Sequence, residues 1–134
     1  MRTYDCVVIG GGPSGATAAT DLARARRDVL LIDRAGRIKP CGGAIPPRLI
    51  RDFAIPEHLL VGRAVTARMV APSTMTVDMP VGDGFVGMVD REHFDEWLRT
   101  RAALARAERL TARFDRIERD SDGCAVVVAI ADGR

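Results

Sequence analysis

Tyr4-Asp5-Cys6-Val7-Val8-Ile9-Gly10-Gly11-Gly12-Pro13-Ser14-Gly15 decides the fold of this chain. Its first half is a short apolar, β-prone run, which predicts a buried strand over 4–9. Its second half fits G-x-G-x-x-G. From Ser14 onward the residues turn small and helical. Ala16, Ala19, Leu22 and Ala23 share one face, and Arg24, Arg26 and Arg27 close the last turn, where cations suit the helix dipole. Val29-Leu30-Leu31-Ile32 is a second buried strand ending at Asp33. A β-α-β pattern in about 30 residues is the size of a right-handed parallel crossover, so the fold class is α/β. A glycine motif alone is weak, but one that follows a strand, opens a helix and precedes an acid at the end of the next strand is specific. Gly10 then allows the tight turn, Gly12 lets a pyrophosphate approach the backbone, and Gly15 lets the helix pack closely. The helix N-terminus offers free N–H groups to phosphates. Asp33, 23 residues after Gly10, is placed to accept a hydrogen bond from a ribose hydroxyl, and an acid there disfavours NADP in this site. The expectation is dinucleotide binding.

The 134 residues suffice for one domain with a real core. Lys39 is the only lysine among 20 basic residues, and 18 acidic residues leave a net charge of +2, too balanced for a nucleic-acid partner. Cys6, Cys41 and Cys124 are odd in number and far apart, which argues against a disulfide framework or a zinc site. No apolar run approaches the roughly 20 residues of a membrane-spanning helix, and no signal peptide is recognisable. The expected location is cytoplasmic.

Further along, 35–47 reads as an ordered Gly/Pro-rich loop, and a short helix follows Pro46-Pro47 with Leu49, Ile50 and Phe53 facing inward. Strands are expected at 64–70 and 75–79, around Ala71-Pro72-Ser73-Thr74, and at 85–89. Met69, Met75 and Met79 lie on or beside the first two and read as core. Asp90 caps a long helix over 91–108, with Phe94, Trp97, Leu98, Ala102 and Ala105 at helical spacing. A final strand pair, 110–117 and 124–131, flanks the turn Asp120-Ser121-Asp122-Gly123. Ala131-Asp132-Gly133-Arg134 looks like the middle of a hairpin rather than an end. His58 falls at an expected helix start in Pro56-Glu57-His58, His93 is expected to be an exposed polar residue on the first turn of the long helix, and no acid–base pair, nucleophilic triad or metal cluster can be assembled.

Lys39-Pro40-Cys41-Gly42-Gly43-Ala44-Ile45-Pro46 is more specific than the glycine loop. With Gly10 to Gly15 and Asp90-Arg91-Glu92-His93-Phe94-Asp95-Glu96-Trp97-Leu98, it makes the chain resemble the geranylgeranyl reductase family, in its bacteriochlorophyll and chlorophyll branch. These are FAD-dependent enzymes related to the aromatic hydroxylases. The resemblance implies a Rossmann-like FAD-binding βαβ (1–47 and about 90–134) with the start of an inserted, mostly antiparallel β substrate region (about 62–89), together the N-terminal portion of a larger fold. It implies that NADPH reduces the flavin and that isoprenoid double bonds are reduced, from geranylgeranyl toward phytyl. Gly10, Gly12, Pro13, Ser14 and Gly15 would hold the FAD pyrophosphate, Asp33 the adenosine ribose, and Arg34 would flank the adenine. Cys41, Gly42 and Gly43 would lie beside the isoalloxazine, with Cys41 modulating the ring or donating a proton, and Arg91 would reach the cofactor. An arginine in a helix's first turn opposes the dipole by roughly 0.3–1 kcal/mol, which makes more sense with an anion nearby. A small buried residue for Cys41 and an ordinary surface arginine for Arg91 are the structural alternatives. Met69, Met75 and Met79 then acquire a second reading, as the lining of an isoprenoid pocket. A greasy substrate implies peripheral contact with a photosynthetic membrane, and the oligomeric state stays open. An FAD-dependent monooxygenase or halogenase and a non-catalytic nucleotide-binding fragment are the competing functions. One departure stands out: Arg26-Arg27-Asp28 occupies the place where many relatives end the first helix with glycine, so a non-glycine residue must avoid or tolerate left-handed geometry there.

Overall fold

A computed structural model describes residues 2–34, 39–82 and 84–131. The first part of the expected 35–47 loop and the expected turn at Asp132-Gly133-Arg134 lie outside the described residues. The chain divides into two compact units, Met1–Arg37 with Asp95–Arg134, and Ile38–Phe94.

In the first unit, β1 (Cys6–Ile9), α1 (Pro13–Arg24) and β2 (Val29–Asp33) form the expected βαβ crossover. Strands β1 and β2 pair in parallel, Cys6 opposite Val29 through Ile9 opposite Ile32. Helix α1 presents Ala16, Ala19, Thr20 and Ala23 as its buried face, with Leu22 only half-buried. Thr20 avoids an unpaired buried hydroxyl by donating to the Ala16 carbonyl at 2.8 Å. A third strand, β8 (Glu108–Arg119), adds to β2 in parallel over Leu30–Asp33 and Glu108–Thr111. Beyond Thr111 the same strand turns to antiparallel pairing with β9 (Ala125–Ala131), with a register shift between Phe114 and Arg116. The order β1-β2-β8-β9 therefore contains the 1-2-3 half of a Rossmann-like sheet. Leu30, Ile32 and Ala112 form a buried cluster there, with Tyr4, Val7, Val127 and Ala129 packed against it. The Asp120–Gly123 turn forms as expected: Asp120 Oδ1 accepts the N–H groups of Asp122 and Cys124 at 3.0 and 2.8 Å.

In the second unit, β3 (Ala44–Ile45), β7 (Val86–Val89) and β4 (Leu60–Ala64) make an antiparallel sheet with β7 central. Neither β3 nor β4 is legible in sequence, because one is two residues long and the other is interrupted by Gly62. Helix α2 (Pro47–Asp52) starts with proline at its first turn. Its inward face differs from expectation. Phe53 is 41% exposed, Leu49 and Ile50 are half-buried, and Ile55, past the helix end, is the buried anchor. Ile50 Cδ1 and Leu60 Cδ2 lie within 2.9 Å of where a Gly87 Cβ would stand, so the absent side chain is what lets them cover β7.

Strands β5 (Thr66–Val70) and β6 (Thr76–Pro80) form a two-stranded hairpin. Alternation places Ala67, Met69, Val77 and Met79 on one face, while Arg68 and Asp78 pair on the other. The methionines are not core: Met69, Met75 and Met79 are 59, 72 and 44% exposed.

Asp90 caps α3 (Arg91–Leu104) as expected, its Oδ1 accepting the Glu92 N–H at 3.0 Å. Phe94, Leu98 and Ala102 are buried, whereas Trp97 and Ala105 are half-buried and Arg101 covers the Trp97 ring. The helix stops four residues earlier than its periodicity suggests, because Arg106 adopts φ 79. Helices α1, α2 and α3 end in the same way. N–H groups at Arg27, Ile55 and Ala107 reach back to Leu22, Ile50 and Ala102, and those at Arg26, Ala54 and Arg106 to Ala23, Arg51 and Ala103. Each is a Schellman motif whose left-handed residue is not glycine: Arg26 (φ 61), Ala54 (φ 48) and Arg106 (φ 79). The missing glycine after α1 is thus tolerated as strain. Arg26→Gly and Arg106→Gly should each raise the unfolding free energy by about 0.5–1 kcal/mol, the left-handed penalty less glycine's entropy cost. Urea titration checks this, and an unchanged or lowered midpoint contradicts it.

Candidate functional site

The glycine loop leaves β1 through Gly10, at φ 101, whose N–H donates to the Ile32 carbonyl at 2.8 Å. A Cβ on Gly15 would stand 1.9 Å from the Gly10 carbonyl oxygen, so the first turn of α1 rests directly on the loop backbone. Gly12 is different. It is the N-cap of α1 in extended geometry (φ −73, ψ −177), and a Cβ there would meet nothing within 4 Å. No side chain caps the first-turn N–H groups, and Pro13 at the first helical position has none to satisfy. Open backbone, uncapped N–H donors and the positive end of a helix make a donor set that fits a dinucleotide diphosphate. Ser14 is exposed on the same turn.

Asp33 closes the other side of this site. Its Oδ1 accepts the Arg34 N–H at 2.9 Å, and its Oδ2 accepts from Arg99 Nη1 at 3.1 Å. The same Nη1 donates to the Gly11 carbonyl at 3.2 Å. Arg99 Nε is held by Glu96 at 3.0 Å, and Arg109 Nη1 and Nη2 grip both Glu96 oxygens at 2.9 and 3.1 Å. The Arg109 hydrogen bonds, and with them the Arg99 one, keep the Glu96 carboxyl below its usual range although partial burial pushes it up. Leu31, Asp33, Arg34, Arg99, Leu110 and Thr111 line a pocket of about 170 Å³ between these groups. Sequence reasoning finds Asp33 and Arg34 but misses Arg99, Glu96 and Arg109. Arg99 lies 66 residues from Asp33. The only local signal is the i,i+3 spacing of Glu96 and Arg99 on α3.

The second unit holds the remaining predicted residues. Gly43 adopts φ 71, and a Cβ there would sit 2.0 Å from the Val89 carbonyl oxygen. Gly42 has open space around it. Cys41 is exposed rather than buried in its turn. The Gly43 N–H donates to Cys41 Sγ at 3.5 Å, and Arg91 hydrogen-bonds the same sulfur. The Gly43 N–H first, then Arg91, with Lys39 adding charge, hold the Cys41 thiol below its ordinary value. Within this chain the partner of the arginine in the first turn of α3 is therefore the Cys41 sulfur. Because thiolate is the reactive form, removing Arg91 raises the thiol's pKa and lowers the thiolate fraction at neutral pH. Alkylation of Cys41 by iodoacetamide should therefore slow about threefold in Arg91→Ala, and its pH profile should move upward. An unmoved profile contradicts the pairing. His93 is exposed and pairs with Asp90 at 3.4 Å. Among the described residues no group of His, Cys, Asp and Glu could hold a metal ion, and no helix is long and apolar enough to cross a membrane.

Residues 4–122 match the family described as pyridine nucleotide-disulphide oxidoreductase. The chain is 65% identical over 124 residues to geranylgeranyl diphosphate reductase of Rhodobacter capsulatus, covering 92% of this chain and 32% of that protein. It is 38% identical over 121 residues to the chloroplastic geranylgeranyl diphosphate reductase of Oryza sativa subsp. japonica, covering 87% of this chain and 26% of that protein. The chain thus spans between a quarter and a third of the length of these curated relatives. Among solved structures it superposes on a geranylgeranyl bacteriochlorophyll reductase-like protein from Thermoplasma acidophilum with a TM-score of 0.81 at 23% identity, over 97% of this chain and 38% of that one. A flavin-dependent brominase superposes with a TM-score of 0.79 at 20% identity, over 98% of this chain and 36% of that one. At these identities the two structures speak for the fold alone.

Proposed function

The chain belongs to the pyridine nucleotide-disulphide oxidoreductase family and has geranylgeranyl diphosphate reductases as homologues. On that membership we propose, as a reading of the whole protein, that the chain is the FAD-binding part of a geranylgeranyl reductase that uses NADPH to reduce isoprenoid double bonds on a pigment ester or a free diphosphate. The observation that carries the reading is the open Gly12 backbone at an uncapped helix N-terminus, one strand away from Asp33. FAD, when bound, supplies the hydride carrier. The chain's own residues bind and orient it. N–H groups at the start of α1 take the diphosphate, Asp33 takes ribose hydroxyls, and the pocket beside Arg34 and Thr111 takes the adenine. The Cys41 thiol, hydrogen-bonded by Arg91, would tune the flavin ring or hold a proton beside it. Exposure of Met69, Met75 and Met79 supports an apolar substrate side on the hairpin rather than a packed core. Peripheral contact with a photosynthetic membrane follows from a greasy substrate. The halogenase alternative is supported only by fold-level likeness, whereas the reductase reading has a relative at 65% identity.

Titration of the 134-residue chain with FAD, followed by flavin fluorescence, tests the cofactor half. Saturable quenching that FMN does not reproduce is expected, because the adenosine half makes the contacts. A chain that takes up no FAD overturns the reading. For the complete enzyme, loss of isoprenoid double bonds coupled to NADPH oxidation is expected. Oxygen consumption without double-bond loss would favour the monooxygenase class.

A further inference from the structure

We propose that Arg99 is the positioning residue of the dinucleotide site: it sets the Asp33 carboxylate so that both oxygens face the vicinal hydroxyls of a ribose. This rests on the FAD-binding reading above. Arg99 reaches the site from α3 with only 18% of its side chain exposed. It is fixed from behind, since Glu96 holds Nε and Arg109 on β8 holds both Glu96 oxygens. In front, one nitrogen, Nη1, donates both to Asp33 Oδ2 and to the Gly11 carbonyl, tying the carboxylate to the glycine loop.

Two features turn this into function. A carboxylate offers about four lone-pair sites. The Arg34 N–H takes one on Oδ1 and Arg99 takes one on Oδ2, which leaves one on each oxygen, the pattern that two adjacent hydroxyls fill. The cation also offsets the charge of Asp33 beside an incoming diphosphate, whose repulsion would otherwise weaken binding. Both groups press close against the loop: a Cβ on Gly11 would stand 2.7 Å from Asp33 Oδ2 and 2.8 Å from Arg99 Cδ, so the glycine at 11 is what leaves them room.

The test is FAD titration of the whole chain and of Arg99→Gln, Arg99→Lys, Asp33→Asn, Glu96→Gln and the Arg99→Gln/Asp33→Asn double variant, with circular dichroism reporting the fold of each. Arg99→Gln should weaken FAD about tenfold, with Arg99→Lys recovering part of the loss and Glu96→Gln losing less. Because Arg99 acts through Asp33, the double variant should bind no worse than Asp33→Asn alone, a coupling that a merely structural arginine would not produce. Unchanged affinity in Arg99→Gln, or losses that multiply in the double variant, overturns the proposal while the FAD reading stands. If Arg99→Gln fails to fold, Arg99→Lys and Glu96→Gln decide, and unchanged affinity in both overturns it. A parent chain that takes up no FAD removes the FAD reading and this proposal together.

Discussion

Gly15→Ala is expected to destabilise the chain by about 3 kcal/mol and to abolish FAD uptake, because the new methyl has nowhere to go. Its Cβ would lie 1.9 Å from the Gly10 carbonyl oxygen and 3.1 Å from the Gly10 carbonyl carbon. Both are backbone atoms that cannot swing aside as a flexible side chain would. To accept the methyl, α1 must lift off the loop. That movement breaks the packing of Ala16 and Ala19, which have no exposed surface at all. The informative control is Gly12→Ala. Gly12 is extended, and its Cβ would meet nothing within 4 Å, so the stability cost is only the N-cap difference between glycine and alanine, about 0.5–1 kcal/mol. The methyl would nonetheless stand where the diphosphate must approach, and FAD affinity should fall at least about tenfold. Urea denaturation and FAD titration of the two variants separate the roles. If Gly12→Ala bound FAD as tightly as the parent, the loop would be a turn and not a phosphate cradle.

That separation bears on how much of the molecule the sequence discloses. The βαβ core was legible because its signals are local: strand composition, three spaced glycines, an alanine face and an acid at the end of β2 all fall within residues 4–33. The Schellman ends were legible only in part. An arginine at 26 says that glycine is missing, but not that Arg26 keeps left-handed geometry with both back-bonds intact. What escaped has its determinants in other parts of the chain. Strand β8 joins two sheets because Glu108–Thr111 meet Leu30–Asp33 from far along the chain, and nothing within 108–119 marks the change of partner. Arg99 is one arginine among many until the fold carries it to Asp33 and Gly11. The methionines read as core because apolar residues in strands usually are; a two-stranded hairpin has no second layer to bury them, and only the assembled register shows this. Cys41 is the reverse case, a residue marked by its motif whose lowered pKa comes from Gly43 and Arg91, the latter reached only through the fold.

Gly43→Ala should be the most damaging change in the second unit, at about 3–4 kcal/mol, because two penalties fall on one atom. The residue sits at φ 71, where an L side chain is strained whatever the space around it. Its Cβ would also stand 2.0 Å from the Val89 carbonyl oxygen, with the Val89 carbon and nitrogen 3.1 and 3.3 Å away. Val89 is the buried last residue of the central strand β7, and its N–H donates to the Gly43 carbonyl at 2.9 Å. The loop cannot retreat without giving up that bond. Retreat also carries the Gly43 N–H away from Cys41 Sγ, removing the largest of the influences that lower the thiol's pKa. The thiolate fraction at neutral pH should therefore fall, and the pH profile of Cys41 alkylation should shift upward together with the loss of stability. Gly42→Ala, one residue earlier and with open space at its Cβ, should change neither. If Gly43→Ala unfolded at the parent's urea midpoint with an unshifted alkylation profile, the close approach of this loop to β7 would not be what holds Cys41 in its charged setting.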